Sequence, residues 1–145
     1  MAALSDYLEN AILDHVLRAT AFSAPLTTYV GLLTAAPSDT GGGTEVTGNA
    51  YARVAVTSGV AAWKSTNGTT SGASTGTNGT TSNAAAINFP TPTPSGWGTV
   101  THFGIFDAAT AGNLLIYAAL GQSKVINPGD AVSFAVDALT FQIDN

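Results

Sequence analysis

The sequence predicts a mainly β protein: an antiparallel, jelly-roll-like β-sandwich with one N-terminal α-helix and one long Thr/Gly/Ser/Asn-rich loop. Three observations lead there. Short runs of β-branched and aromatic residues alternate with turn-forming clusters at intervals of roughly 8–12 residues, the spacing of a sandwich or barrel with about seven or eight strands. Only the N-terminal segment has apolar residues at helical spacing. One stretch of twenty residues, 64–83, has no large apolar side chain and so has nothing to offer a core.

The helix is expected over residues 5–20. Ser5 stands as its N-cap, Asp6 and Glu9 fall in the first turn and Arg18 lies near the end, an order of charge that suits the helix dipole. Leu4, Leu8, Ile12 and Val16 recur at helical spacing, and Leu13 and Leu17 widen the stripe. Pro25 prevents continuation. LTTYVGLLT, residues 26–34, then reads as a strand that runs into the turn-forming AAPSDTGGGTEVTGN.

In YARVAVTSG, Ala52, Val54 and Val56 alternate with Tyr51, Arg53, Ala55 and Thr57, which predicts a half-buried strand holding one of the two arginines. KSTNGTTSGASTGTNGTTSN, residues 64–83, contains the hexapeptide TNGTTS twice, at Thr66 and at Thr77. It reads as a surface loop, an extended flap or a tip. AAAINFP, 84–90, is a short strand, and TPTPSG is a proline-fixed connector. WGTVTHFGIFDA, 97–108, predicts a central strand with Val100, His102, Gly104 and Phe106 on one face and Thr101, Phe103, Ile105 and Asp107 on the other. DAATAGN turns the chain back into LLIYAAL, 114–120, and KVINPGDAVSFAVDALTFQID supplies two further strands around Asn127-Pro128-Gly129-Asp130. The length suits one domain over 1–145, with sandwich strands in 26–63 and 84–145 and the loop at 64–83 inserted between them.

Composition narrows the function. Charged residues make up 9% of the chain, against roughly a quarter in an average protein. Ala, Gly, Thr and Ser take their place, a surface that packs readily among neighbours in an assembly. The net charge of −5, with four Lys and Arg in total, withholds the positive footprint that nucleic acid requires. The absence of cysteine excludes disulfide scaffolds, thiolate metal sites and cysteine nucleophiles together. MAALSDYLEN has no basic lead and does not read as a secretory signal, and no apolar run approaches the ~18 residues of a membrane span. No membrane partner is expected.

Chemistry finds little to use. The two histidines, His15 and His102, lie far apart and lack the spacing of a metal site; His102 is expected to hydrogen-bond across the sheet and His15 to cap or pack at the edge of the helix. No G-x-S-x-G elbow occurs. Asp107, Asp130, Asp137 and Asp144 fall at strand ends or turns, where aspartate serves turn hydrogen bonds. GGGT at Gly41 lacks the G-K-[ST] of a phosphate loop. Trp63 and Trp97 could stack sugars, but tryptophans beside Gly-rich turns more often close a core or anchor an interface. Arg53 has Asp107 and Glu45 as candidate partners. Neither catalytic residues, metal, cofactor nor small-molecule substrate is expected.

Three segments together, ALSDYLENAILDHVLRAT, YVGLLTAAPSDTGGGTEVTGNAYARVAV and WGTVTHFGIFDAATAGNLLIYAAL with KVINPGDAVSF, resemble a family of small virion structural proteins of tailed bacteriophages, variously described as decoration, minor tail and tail-fibre proteins. The resemblance spans nearly the whole chain except residues 64–83, a longer loop than the family pattern suggests. It implies a β-rich structural protein without enzymatic activity, made in the bacterial cytoplasm and resident in the virion.

Among the roles the family's descriptions offer, the expected one is capsid cement on the shell exterior. The partners are then the major capsid protein and further copies of the chain, as a trimer or dimer. The small single domain, without a long shaft or fibrous repeat, favours that role over the alternative, a tail or baseplate adaptor or tail-fibre subunit. A glycan-binding module using Trp63 or Trp97 and the loop is a third reading. The candidate contact residues are Tyr7, Leu13 and Leu17 on the helix, Trp63, Lys64, Asn67 and Asn78 on and beside the loop, and Trp97.

Overall fold

The computed structural model describes residues 2–143. Asp144 lies outside them. In chain order the elements are β1 (Ala3–Leu4), α1 (Asp6–Leu17), β2 (Thr27–Ala35), β3 (Thr44–Glu45), β4 (Val54–Thr57), β5 (Thr80–Ser82), β6 (Ile87–Asn88), β7 (Gly98–Phe106), β8 (Leu114–Ile126), β9 (Ser133–Phe134) and β10 (Thr140–Gln142). Every strand pairing is antiparallel. The ten strands exceed the seven or eight expected because the chain makes several two- and three-residue pairings that no periodic pattern can announce.

One six-stranded sheet in the order β1-β8-β7-β2-β3, with β4 also paired to β2, forms one layer. Two two-stranded ribbons, β5 with β10 and β6 with β9, pack against it. The layers are therefore unequal, not the paired sheets of an eight-stranded jelly roll. The core between them draws Val30, Leu32, Val100, Phe103 and Ile105 from the sheet, and Ile87, Leu139 and Phe141 from the ribbons and their flanks. Phe103 lies edge-on to Phe134 and Phe141 at 5.7 and 5.9 Å between ring centroids, so one side chain of the central strand joins both ribbons.

The sequence alternation in β7 does not persist. A register shift between Val100 and His102 in the pairing with β8 inserts an irregularity, after which Val100 shares the core with Phe103 and Ile105 instead of the face of His102 and Phe106. The His102 ring meets the hydroxyl of its neighbour Thr101 at 2.8 Å, along the strand and not across the sheet. The returning strand β8 runs on to Ile126, six residues past LLIYAAL, because Gly98, Thr99 and Val100 pair with Ile126, Val125 and Lys124. Asn127-Pro128-Gly129-Asp130 consequently links β8 to the β9 region and does not separate two late strands.

On the opposite face, Gly31 and Gly104 sit directly across from each other in β2 and β7. A Cβ on either would come within 2.9 Å of the Phe106 ring, so the glycine pair forms the notch that holds it. The Arg53 guanidinium lies 3.5 Å from the centre of that ring. Of its two candidate partners, Arg53 takes Glu45, through Nε at 2.8 Å and a second nitrogen at 2.7 Å, and it also donates to the carbonyls of Ala108 and Ala111. Asp107 instead accepts from the backbone and side-chain nitrogens of Asn113, both at 2.7 Å, and closes the β7–β8 turn. Tyr51 donates to Glu45 and accepts from Leu32 N; burial, with the neighbouring Glu45 carboxylate, pushes its hydroxyl well above the usual tyrosine range.

The 64–83 segment is not loop throughout. Thr80–Ser82 forms β5, Ser65 is buried, and Asn83 is wholly buried. The apolar content of the segment is no guide to this, because hydrogen bonds and not packing hold it. Asn83 Nδ2 donates to the carbonyls of Ala85 and Ala135, and its Oδ1 accepts from Leu139 N at 2.8 Å.

Candidate functional site

The expected contact residues separate into two surfaces and one core position. The first surface is α1. Ser5 caps it as expected, accepting from Leu8 N at 3.3 Å, while the same hydroxyl donates to Leu114 O and Ser5 N donates to Leu115 O. The start of the helix is thereby fastened to β8, and Leu8 packs against the core. The helix ends at Leu17, short of residue 20, as Ala19 takes a φ of 54° and Arg18 N bonds to Asp14 O. Leu4 belongs to β1 and not to the helical stripe.

Beyond Leu8 the described residues leave the stripe largely uncovered: Leu13 is 53% exposed, Val16 70% and Leu17 75%. No residue of α1 is buried. Tyr7 is likewise exposed. Sequence periodicity placed these side chains on one face, but it gave no sign that the sheet would cover only the first turn. His15 receives a hydrogen bond from Phe22 N, which folds the chain after the helix back against its end.

The second surface gathers Lys64, Asn67 and Asn78. Thr66, Asn67 and Gly68 of the first TNGTTS and Asn78, Thr80, Thr81 and Ser82 of the second line one polar recess of about 400 Å³, which Asp137 and Thr140 complete. Lys64 Nζ lies 2.6 Å from Asp137, and Ser82 Oγ donates to the same carboxylate. These two bonds, that of Lys64 first, hold the Asp137 carboxyl below its usual range. The loop folds on itself through Gly76 N to Thr66 Oγ1 at 2.9 Å and Thr66 N to Ser74 Oγ at 3.2 Å. Gly76 permits the crossing, because a Cβ there would lie 2.2 Å from Thr66 O. Asp137 and Thr140 were not expected at this surface, since 73 residues separate Asp137 from Lys64. The scarcity of cations was the one available signal: a half-buried lysine in so uncharged a chain must find a carboxylate.

The tryptophans take structural positions. Trp97 is buried, stands edge-on to Tyr51 and Phe89, and donates from Nε1 to Asn49 O at 3.0 Å, which is the core reading of the two expected for it. Trp63 is half-buried, bridges to Asn83, and stands edge-on to Phe141 beside the polar recess and not within it. A third, acidic feature joins Tyr117 to Asp39; that hydrogen bond, with smaller contributions from burial and from Asp6 and Glu9, pushes the Tyr117 hydroxyl up to about 12. Among the described residues, no group of three or more His, Asp or Glu is placed to hold a metal ion.

Among the described residues the chain thus presents an apolar stripe left largely uncovered, the polar recess of the repeats, and a buried arginine side chain that braces turns. Among curated proteins none matches the chain. The family profile described as podophage GP4 fiber I protein gp80 matches residues 3–142, through both halves of the sheet and the loop between them. The chain therefore belongs to the podophage GP4 fiber I protein gp80 family and is a bacteriophage virion structural protein.

Proposed function

We propose that the chain is a tail-fibre subunit, a structural and non-enzymatic part of the virion that assembles with further copies of itself. The observation behind the fibre role is the family match, which spans almost the entire chain and describes a fibre protein. The uncovered half of α1 supports self-association. Leaving a leucine side chain in water forgoes about 25 cal/mol for each Å² that burial would remove, and Leu13, Val16 and Leu17 stand side by side with more than half of each exposed. The capsid cement role rests on the lack of a fibrous repeat; the same stripe would serve that role equally, and the family's description is what favours the tail. The major capsid protein recedes as a partner accordingly.

Two measurements test this. Purified virions are split into heads and tails and the chain is quantified in each. A tail-bound band at low copy is expected, and a head-bound band near the stoichiometry of the major capsid protein would restore cement and reject the fibre. Light scattering on the purified chain carrying Leu13→Ser and Leu17→Ser reads the seam. Dissociation with an unchanged melting transition is expected, because both side chains already face water; an unaltered oligomer rejects α1 as the contact.

A further inference from the structure

We infer that the recess built by the two TNGTTS repeats binds one neutral pyranose ring. Its lining is hydroxyl and amide: Thr66, Thr80 and Thr140 with Asn67 and Asn78, and a single carboxylate, Asp137. That carboxylate is neutralised by Lys64 at 2.6 Å, and no other charged side chain lines the recess among the described residues. An anion would face Asp137, a cation would find that carboxylate already paired with Lys64, and an apolar ligand would strip water from hydroxyls without replacing their bonds. A sugar hydroxyl both donates and accepts, so it matches such a wall in either direction.

The donors are available and held in place. Thr80 N can only donate, which fixes Asn78 Oδ1 as its acceptor at 3.2 Å and leaves Nδ2 without a hydrogen bond among the described residues. Asn67 Oδ1 accepts from Ser65 Oγ, which leaves its Nδ2 in the same condition. The carboxylate of Asp137, its side chain 54% exposed, retains lone pairs for a ligand hydroxyl. Thr81 Oγ1 donates to Lys64 O, and Lys64 N donates to Ser82 O at 2.9 Å, which fastens the second repeat to the segment that leads into the first. The volume of about 400 Å³ lies in the usual range for small-molecule sites, about 300–1,000 Å³. No aromatic ring lines the recess, so a single sugar should bind on the order of 1 mM or weaker. The inference does not depend on which part of the virion holds the chain, since binding is read on the isolated protein.

The test is a titration of the ¹⁵N-labelled full chain, followed by amide shifts, with glucose, galactose and N-acetylglucosamine, and with glucosamine and glucuronate as charged counterparts. At least one neutral sugar is expected to give saturable shifts confined to the repeats and the Asp137–Thr140 segment, and both charged sugars are expected to bind more weakly. Asn67→Ala with Asn78→Ala removes two amide donors and should weaken that sugar about tenfold or more. Asn67→Asp keeps the acceptor for Ser65 but adds a charge, and should shift preference toward glucosamine with the remaining spectrum unchanged. Absence of saturable shifts with every neutral sugar, shifts centred elsewhere, a preference of the native chain for a charged sugar, or binding unaltered in both variants would each overturn the inference.

Discussion

Asn83 offers the most direct trial of how the ribbons are held. Its side chain lies wholly buried and makes three hydrogen bonds, two donated to the carbonyls of Ala85 and Ala135 at 2.8 and 2.7 Å and one accepted from Leu139 N at 2.8 Å. Asn83→Ala leaves the Leu139 N–H and the Ala85 carbonyl without these partners and takes from the Ala135 carbonyl one of two, since Ala138 N still donates to it; a buried polar group left unpaired costs about 1–3 kcal/mol. The sum should be about 2–3 kcal/mol, because the carbonyls of Ala85 and Ala135 belong to exposed residues that water can rehydrate. At a urea m-value of about 2 kcal/mol/M, the unfolding midpoint should fall by roughly 1–1.5 M. Tryptophan fluorescence reads this at fixed protein concentration, with Trp63 bridged to Asn83 as a local reporter. Asn83→Asp sharpens the trial. It keeps the acceptor for Leu139 N but turns a second oxygen toward two carbonyls, so its folded pKa rises above the unfolded value near 3.9. The variant should be most stable below that value and lose stability as pH rises through the folded pKa. A midpoint for Asn83→Ala within about 1 kcal/mol of the native chain, or a pH-independent Asn83→Asp, would refute the account.

Further outcomes follow from the charged pairs. Arg53→Met removes a guanidinium whose side chain is only 7% exposed and strands Glu45 beside Tyr51, so a loss of about 3 kcal/mol or more is expected in the same urea assay, with partial recovery when Glu45→Gln is added. An Arg53→Met chain as stable as the native one would show that the stacking on Phe106 and the two carbonyl bonds count for nothing. Lys64→Met should move the Asp137 carboxyl back toward its ordinary 3.8, followed by carboxyl carbon shifts. Because the native pKa is depressed, the associated stabilisation is present above 3.8 and fades as pH falls through the folded pKa; a carboxyl shift curve unchanged by the substitution would deny the pairing.

Much of the layer structure was legible because burial and pairing leave periodic marks. Ser5 announced its helix, the alternation at Val54 and Val56 announced a half-buried strand, and the aromatic density of residues 97–108 announced the centre of the sheet. Reading failed where a single residue breaks a period. The irregularity between Val100 and His102 reverses which side chains reach the core, and nothing in V-T-H marks it, since each of the three is at home in a regular strand. It failed again where order comes from hydrogen bonds. Asn83 ends a run that hydropathy assigns to solvent, yet it is among the least exposed residues of the chain, because an amide with three satisfied bonds can be buried at little net cost.

The contact surfaces were legible in composition but not in position, for a related reason. Helical spacing in ALSDYLENAILDHVLRAT puts Leu13, Val16 and Leu17 together, with Leu17 about half a turn round from Leu8; it cannot say which of these sides another layer covers. Here the ties of Ser5 to Leu114 and Leu115 fix the first turn to the sheet, and β8 offers nothing beyond Leu8 to cover the rest. The repeats pose the inverse case. Two identical hexapeptides suggested a flexible tip, but an exposed Thr/Asn/Gly segment becomes a walled recess once Gly76 lets the chain cross Thr66 and a distant Asp137 takes Lys64. The fibre subunit proposed above would need a face for its neighbours and a face for whatever it meets. In this chain the apolar end of α1 and the polar recess of the repeats supply chemically opposite surfaces, so substitutions in one should leave the other unchanged.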